Sequence, residues 1–354
     1  MLKKVGFLTL VFLLAFAFSA SAENKLIADS LKNQKPITMT IAHPEPPDPL
    51  NFIHSSALAF KGYVETVSEG KITVKLAPGG QLGDSAEMPK QIQMGAIEGS
   101  MSMAEGHIAP YYKGIQVLAI PYLFVSVDHA LYTLDVDRPF GKKLWADLEN
   151  KTGLKVLTIW DNGGFRCFTN NKRPIHTPDD MKGLKIRTMQ IPAHMEMVKA
   201  LGANPTPIAW TELPNALSTG VVDGQENPVG VIYNNKLYEV QKYLILDGHA
   251  YGADFMLIND KFFNSLSAEQ QNIIKTAAIV AGNVGRGIQE LNSAMGISEL
   301  KKEGMQVYSP TSKERMEFKE KTQGPVIDWM KTQVDPQWID KVMAATKKAE
   351  AELK

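Results

Sequence analysis

Two polar residues in the segment 184–228 have the types and settings that suit the capture of a small carboxylate. Arg187 lies near the end of the alternating segment LKIRTM, and its guanidinium presents a planar fork of donors that matches the two oxygens of a carboxylate. Asn227 precedes Pro228, which favours an extended backbone and so restricts where the amide can point. Each residue also has a structural interpretation. Arg187 could pair with a neighbouring helix, and Asn227 could cap a helix that begins at Pro228.

Four further residues are candidates for the same site. Arg166, in GFRCFTN, could hold a second carboxylate or tie two domains together. Trp210, in PIAWTEL, could be a core residue or a pocket wall. Glu105 ends a short strand before a glycine and could lie at a cleft edge or in solvent, and His43 follows the first strand and could reach a cleft.

Motifs for other chemistry are missing from the sequence. None of the 7 histidines has a metal-ligand spacing with a carboxylate partner, so we predict no metal site. There is no G-x-S-x-G elbow, no P-loop and no G-x-G-x-x-G fingerprint, so we predict no cofactor and no catalytic residue. Cys167 is the single cysteine and cannot form an internal disulfide; its apolar neighbours predict that it is buried.

The order of the elements predicts how these residues are positioned. Alternating strands at 37–42 and 71–76, each followed by a helix, indicate an α/β fold with a largely parallel sheet. In such a sheet an arginine at the end of a strand lies at the edge where ligands bind. The turn residues Asp161-Asn162-Gly163 predict a break between two strands and a domain boundary near Gly163. A capping box at Ser267 predicts a long helix to about Lys302 that is weakened or kinked by glycines.

The amino terminus predicts export. Lys3 and Lys4 precede an apolar run that is too short for a membrane span, and Ala20-Ser21-Ala22 forms a cleavage site, so we expect a signal peptide cut near Ala22 and a periplasmic protein. Removing the two lysines leaves 36 basic against 38 acidic side chains. That near-neutral balance argues against a nucleic-acid surface.

Five segments together resemble the TRAP transporter solute-binding proteins of the DctP type, over almost the whole mature chain: PGGQLGD, GFRCFTNNKRPI, DMKGLKIRTM, GANPTPIAWTELPNAL and VVDGQENP. The resemblance implies an extracytoplasmic receptor that delivers an organic acid to an ion-gradient-driven membrane permease. It further implies that Arg187 clamps the ligand carboxylate and that Asn227 contacts it. It places Arg166, Trp210 and Glu105 near the ligand. One segment, HPEPPDPLN after the first strand, departs from the family in being proline-rich and leaves the role of His43 open.

The resemblance also implies a two-domain periplasmic-binding-protein-like fold with hinge strands and a long helix spanning both domains. We predict this division of the chain: signal peptide 1–22, first part of domain I 23–163, first part of domain II 164–252, return to domain I with the spanning helix 253–295, and the rest of domain II with the C-terminal helices 296–354.

The sequence leaves some functional alternatives open. A receptor that signals to a membrane kinase would bind the same kind of ligand. A secreted hydrolase using Glu105 and Asp161 as paired carboxylates is a weaker alternative. The ligand is also open, because two arginines fit a dicarboxylate or a sugar acid, whereas Trp210 also suits an aromatic or branched keto acid.

Overall fold

A computed structural model describes residues 31–354, except the side chain of Ser102. The predicted signal peptide, 1–22, lies outside the described residues. None of the helices within 31–354 is long and apolar enough to cross a membrane.

Ten strands of the described chain form one continuous sheet. They are β1 (Ile37–Ala42), β2 (Ile72–Ala77), β3 (Gly99–Ala104), β4 (Leu154–Asn170), β5 (Lys185–Thr188), β6 (Asn204–Pro207), β7 (Gly224–Pro228), β8 (Tyr243–Ile245), β9 (Ala250–Asn259) and β10 (Gln306–Tyr308). Their order is β2-β1-β3-β9-β4-β7-β5-β6, with β8 paired to β4 and β10 paired to β8.

The α-helices of the described residues pack around this sheet. They are α1 (Phe52–Val67), α2 (Met88–Met94), α3 (Glu105–Ile108), α4 (Val127–Leu134), α5 (Pro139–Thr152), α6 (Pro192–Ala200), α7 (Leu213–Ser218), α8 (Val229–Asn234), α9 (Asp260–Asn264), α10 (Ala268–Lys302), α11 (Ser312–Met330) and α12 (Pro336–Glu352).

Two long strands, β4 and β9, join two lobes. Strands β1, β2 and β3 lie on one side of this pair, and β5, β6 and β7 lie on the other. The outer strands pair in parallel, as predicted, whereas β9 pairs antiparallel with both β3 and β4, and β7 pairs antiparallel with β4. The two-lobed α/β fold with connecting strands is therefore as predicted. Because β4 and β9 run through both lobes, the residue boundaries of the domains stay a prediction.

The predicted turn at Asp161-Asn162-Gly163 is wrong. Residues 154–170 form one strand of 17 residues, and its register with β9 shifts between Asp161 and Phe165. Gly163 (φ 98°) and Gly164 (φ 87°) adopt the left-handed region there, which makes a bulge rather than a chain reversal. The same residues that predict a turn thus form a bulge in a strand that continues through them.

The long helix α10 is confirmed. Ser267 caps it and forms a capping box with Gln270. The helix runs without interruption over Ala268–Lys302, and one of its glycines, Gly285, lies at a close packing contact. A Cβ added at Gly285 would collide with the Ser56 hydroxyl of α1 and lie 3.2 Å from the indole nitrogen of Trp160. The missing side chain therefore lets α10 approach α1 and β4 closely, which holds the first lobe against the connecting strand.

Apolar clusters stabilise each lobe. One lies between α1, α10 and the sheet and includes Met39, Phe60 and Ala277. Another lies under α7 and α8 in the second lobe and includes Leu213 and Ile232. The predicted burial of Cys167 is confirmed, since it belongs to the second of these clusters. These two clusters are local to one lobe each, whereas a larger cluster that includes Met88 and Met197 extends into both lobes.

Candidate ligand-binding site

A pocket lies between the two lobes, beside the bulge of β4. It encloses about 480 Å³ of empty space, part of which is open to solvent. The first lobe supplies the loop after β1 and the start of α1, and the second lobe supplies the ends of β5 and β7. Four of the six predicted site residues line this pocket: Arg166, Arg187, Trp210 and Asn227.

Arg187 is held at the end of β5 between β6 and β7. Only 2% of it is exposed, and its Nε donates to the Ile208 carbonyl at 2.9 Å. Among the described residues no carboxylate forms an ion pair with it. Burial lowers the pKa of Arg187 to about 10, although the more distant Glu226 opposes this shift. The guanidinium is thus a buried cation whose charge is incompletely compensated inside the protein.

Arg166 is equally buried, with 1% exposed, but it has a partner. Its Nε donates to Glu226 Oε2, and its Nη2 donates to Glu226 Oε1 at 3.0 Å and to the Glu226 carbonyl at 2.7 Å. Burial alone would lower the pKa of Arg166, but the negative charge of Glu226 raises that pKa, and Glu105 and Asp254 add to the rise. Arg166 on β4 and Glu226 on β7 therefore form an internal ion pair between adjacent strands.

A histidine and a second carboxylate extend this pair. The His249 ring lies with Nδ1 2.7 Å from Asp247 Oδ2 and Nε2 3.3 Å from Glu226 Oε2. Burial would lower the pKa of His249, but Asp247 and then Glu226 raise it to about 9, so the ring is charged at neutral pH. Burial likewise disfavours the charged form of Glu226, but Arg166 holds its pKa well below the usual range. This network was not predicted from the sequence. The sequence feature that could have indicated it is Glu226 next to Asn227, in a segment where apolar and polar residues do not alternate.

Asn227 lines the pocket, but the predicted helix cap is wrong. Residue 227 belongs to β7, and the helix α8 begins only at Val229, with Pro228 in the cap position. The Asn227 amide instead donates to Gln225 Oε1 at 2.6 Å. The proline extends the backbone, as predicted, but that extension continues the strand pairing with β4 and leaves the Asn227 side chain at the pocket.

Trp210 connects the two lobes across the cleft. It begins a 3₁₀ turn (Trp210–Glu212), and the carbon of the Arg187 guanidinium lies 5.9 Å from the centre of its ring. Its indole nitrogen donates to Glu45 Oε1 at 2.8 Å, and the other Glu45 oxygen accepts from Asn51 at 2.9 Å. Glu45 belongs to the proline-rich segment after β1 and lines the pocket, and sequence reasoning missed it. That segment therefore supplies a carboxylate to the site.

The structure does not bring the Glu105 and His43 side chains to the pocket surface. Glu105 begins α3 and is 1% exposed; burial raises its pKa to about 7, against the effect of Arg166. The His43 ring packs inward with Nε2 3.0 Å from Nδ1 of His54, and burial followed by His54 lowers its pKa to about 4. Their chain neighbours Ala104 and Pro44 form the wall instead. Both side chains were predicted at the pocket surface but are buried behind the residues that form its wall.

The paired-carboxylate arrangement expected of a hydrolase gains no support. Asp161 lies in the bulge of β4, where Oδ1 accepts from the Gly163 backbone at 3.0 Å and Oδ2 lies 3.8 Å from Arg286 Nε. Like Glu105, it is not among the described residues that line the pocket. Its contacts position the bulge and the long helix.

The model of the family named bacterial extracellular solute-binding protein, family 7 (DctP), matches residues 45–332. The chain belongs to this family. It is 36% identical to the 2,3-diketo-L-gulonate-binding periplasmic protein YiaO of Escherichia coli (strain K12), over 72% of this chain and 76% of that protein. It is 29% identical to the C4-dicarboxylate-binding periplasmic protein DctP of Rhodobacter capsulatus, over 88% and 92%.

A solved structure of similar fold is the sugar acid binding protein DctPAm from Advenella mimigardefordensis in complex with galactonate. The two structures agree with a TM-score of 0.83 at 32% identity, over 89% of this chain and 99% of that chain. The resemblance inferred from the five sequence motifs is therefore confirmed, as is the two-lobed fold. The protein is an extracytoplasmic solute-binding protein of the DctP family.

Proposed function

We propose that this DctP-family protein captures a small organic carboxylate in the periplasm, after cleavage near Ala22, and delivers it to a TRAP-type permease. The observation that carries the proposal is Arg187, a buried guanidinium without a carboxylate partner among the described residues, at the wall of an inter-lobe pocket. Such a cation is costly to bury unless an anion arrives to pair with it. The relatives named for diketogulonate, galactonate and C4-dicarboxylate binding support a carboxylate as that anion.

In this proposal Arg187 holds the ligand carboxylate with its two Nη groups, since Nε is engaged by Ile208. Asn227 is placed to donate a further hydrogen bond, and Trp210 packs beside the guanidinium. We expect the ligand to be released unchanged, as befits a solute-binding protein.

Contacts across the cleft explain how binding would be coupled to lobe closure. Trp210 donates to Glu45, and the Thr211 hydroxyl lies 3.3 Å from Asp84 Oδ2, so each contact joins the second lobe to the first. Closing the lobes excludes water, which strengthens the pair between Arg187 and the carboxylate. A ligand that makes this pair only in the closed form shifts the population toward that form, which the permease would then recognise.

Titration calorimetry with a panel of carboxylates tests the Arg187 assignment. For Arg187→Ala we expect affinity to fall about 30- to 5,000-fold, the usual cost of truncating one partner of a buried charge pair. Arg187→Lys should also bind poorly, because lysine keeps the charge but loses the fork. Arg138→Ala, at an exposed arginine far from the pocket lining, is the matched control. Unchanged affinity in Arg187→Ala would refute the proposal.

A further inference from the structure

We infer that the pocket selects a monocarboxylate whose other carbons carry hydroxyl groups, and that it rejects dicarboxylates of the same size. This inference rests on the proposed function, because it takes Arg187 as the carboxylate anchor. It decides among the ligands that the sequence left open, using the charges that face the pocket.

The positive charges at the pocket are almost all compensated. Arg166 is paired with Glu226 through Nε and Nη2, which form one edge of its guanidinium. His107 lines the pocket, but burial lowers its pKa to about 4, so its ring is neutral, and Nδ1 accepts from the Ala104 backbone. Among the described residues that line the pocket, Arg187 is therefore the one cation free to bind an anionic group. One such cation matches one carboxylate.

The opposite side of the pocket carries negative charge. Burial raises the pKa of Glu45, but the side chain accepts hydrogen bonds on both oxygens, from Trp210 at 2.8 Å and from Asn51 at 2.9 Å, and these bonds favour the ionised carboxylate. Asp254 lines the pocket from β9 and acts on Arg166 as a negative charge. A second carboxylate on the ligand would meet these two groups, and like charges in a buried site repel strongly.

The remaining polar lining consists of neutral groups that both donate and accept. They are Ser85, Asn162, Asn227 and Asn235. A hydroxyl group also donates one bond and accepts others, so it can donate to Glu45 or Asp254 and accept from an asparagine amide. A ligand with only methylene groups beyond its carboxylate would leave these buried polar groups without partners, which costs affinity. The lining therefore fits a hydroxylated tail.

The geometry places the two ends of such a ligand. The Arg187 guanidinium packs on one side of the Trp210 ring, and the indole nitrogen of the same ring bonds to Glu45. One indole thus separates the cation from the carboxylate. A ligand lying along Trp210 would place its own carboxylate at Arg187 and its hydroxyl groups toward Glu45.

Matched six-carbon acids test the inference by calorimetry and thermal shift on the full mature chain. Gluconate, galactonate and mannonate are each compared with the aldarate in which a second carboxylate takes the place of the terminal CH2OH group. Hexanoate lacks the hydroxyl groups, and 6-aminohexanoate lacks them and carries a terminal ammonium group. We expect at least one aldonate to bind, with its aldarate and hexanoate at least 10-fold weaker. An aldarate that binds as tightly as its aldonate would overturn the inference, and so would a preference for hexanoate or 6-aminohexanoate.

Charge-neutralising variants show whether the pocket carboxylates cause the discrimination. Glu45→Gln keeps an oxygen that can accept the hydrogen bond from Trp210. It should reduce the ratio of aldonate affinity to aldarate affinity, here called the affinity gap, at least 5-fold. Asp254→Asn should act in the same direction and serves as a second variant if the first folds poorly. Glu320→Gln, at an exposed position away from the pocket, should leave the gap unchanged. An affinity gap that stays the same in both pocket variants would contradict the inference.

The outcome separates this inference from the proposed function. If succinate or hexanoate binds in an Arg187-dependent manner while no aldonate does, the carboxylate anchor stands and the hydroxylated class is wrong. If none of these carboxylates raises the melting temperature, both fail.

Discussion

Two buried arginines near the same pocket have opposite surroundings. Arg166 donates several hydrogen bonds to Glu226, which is itself 3.3 Å from His249. Arg187 donates to one backbone carbonyl, and no carboxylate among the described residues pairs with it. The neighbouring carboxylates raise the pKa of Arg166 despite burial, whereas burial lowers the pKa of Arg187 to about 10.

This difference shows how a binding site can use two similar side chains for separate purposes. An arginine whose charge is already neutralised contributes structure and leaves little for a ligand. An arginine whose charge is left uncompensated makes the ligand-free protein less stable and gains most when an anion binds. Four measurements test whether the two arginines differ in this way, and they follow in order of decreasing expected effect.

The largest effect is expected from removing the paired arginine. Arg166→Met should reduce the free energy of unfolding by about 3–5 kcal/mol, because it leaves the Glu226 carboxylate buried without its partner. Urea unfolding monitored by circular dichroism measures this loss. The double variant Arg166→Met/Glu226→Gln should recover part of the lost free energy of unfolding, because it also removes the unpaired carboxylate of Glu226. A loss below about 1 kcal/mol would mean that Arg166 is not a structural residue.

The second effect is the pH dependence conferred by His249. Its pKa in the folded protein, about 9, is above the value of about 6.5 in an unfolded chain. The resulting stabilisation is complete below pH ~6.5 and is lost as the pH rises toward ~9, by up to ~3 kcal/mol. Unfolding free energies at a series of pH values should decline over that window in the wild type and much less in His249→Gln. Equal slopes in the two proteins would argue against a charged His249.

Glu105 should give a similar decline at lower pH. Its pKa is raised by burial to about 7, so the protein is most stable where the carboxyl is protonated and loses stability as the pH rises from ~4.5 to ~7. We expect a loss of up to ~3 kcal/mol in the wild type and a flatter profile in Glu105→Gln. Glu303→Gln, at an exposed carboxylate, is the control and should follow the wild type.

The smallest effect has the opposite sign. In the absence of ligand, Arg187→Met should raise the free energy of unfolding by about 1–2 kcal/mol, because it removes a buried and uncompensated charge at the cost of one hydrogen bond to Ile208. The same variant should lose ligand-induced stabilisation. A destabilised Arg187→Met would mean that this charge is compensated inside the protein after all, and the contrast with Arg166 would fail.

Local features of the fold could be predicted from the sequence because they depend on neighbouring residues. The capping box at Ser267 begins the long helix where it was expected, and alternation located the strand that carries Arg187. The same local rules failed at Asp161-Asn162-Gly163, where pairing with β9 on one side keeps the strand running through residues that otherwise reverse a chain. They also failed at Asn227, which is held in β7 by pairing with β4.

The residue types at the site could be predicted from the sequence: a strand-end arginine, an Asn-Pro pair and a tryptophan in motifs typical of the DctP family. Which of the two arginines has no carboxylate partner among the described residues depends on the three-dimensional arrangement of the chain. Arg166 contacts Glu226, and Glu226 contacts His249, although these three residues are far apart in the sequence. Glu45 and Trp210 are also in contact and far apart in the sequence. A charge is compensated by whatever lies within a few ångströms of it, and those neighbours come from separate strands and loops. Whether a buried arginine can pair with a ligand is therefore a property of the fold.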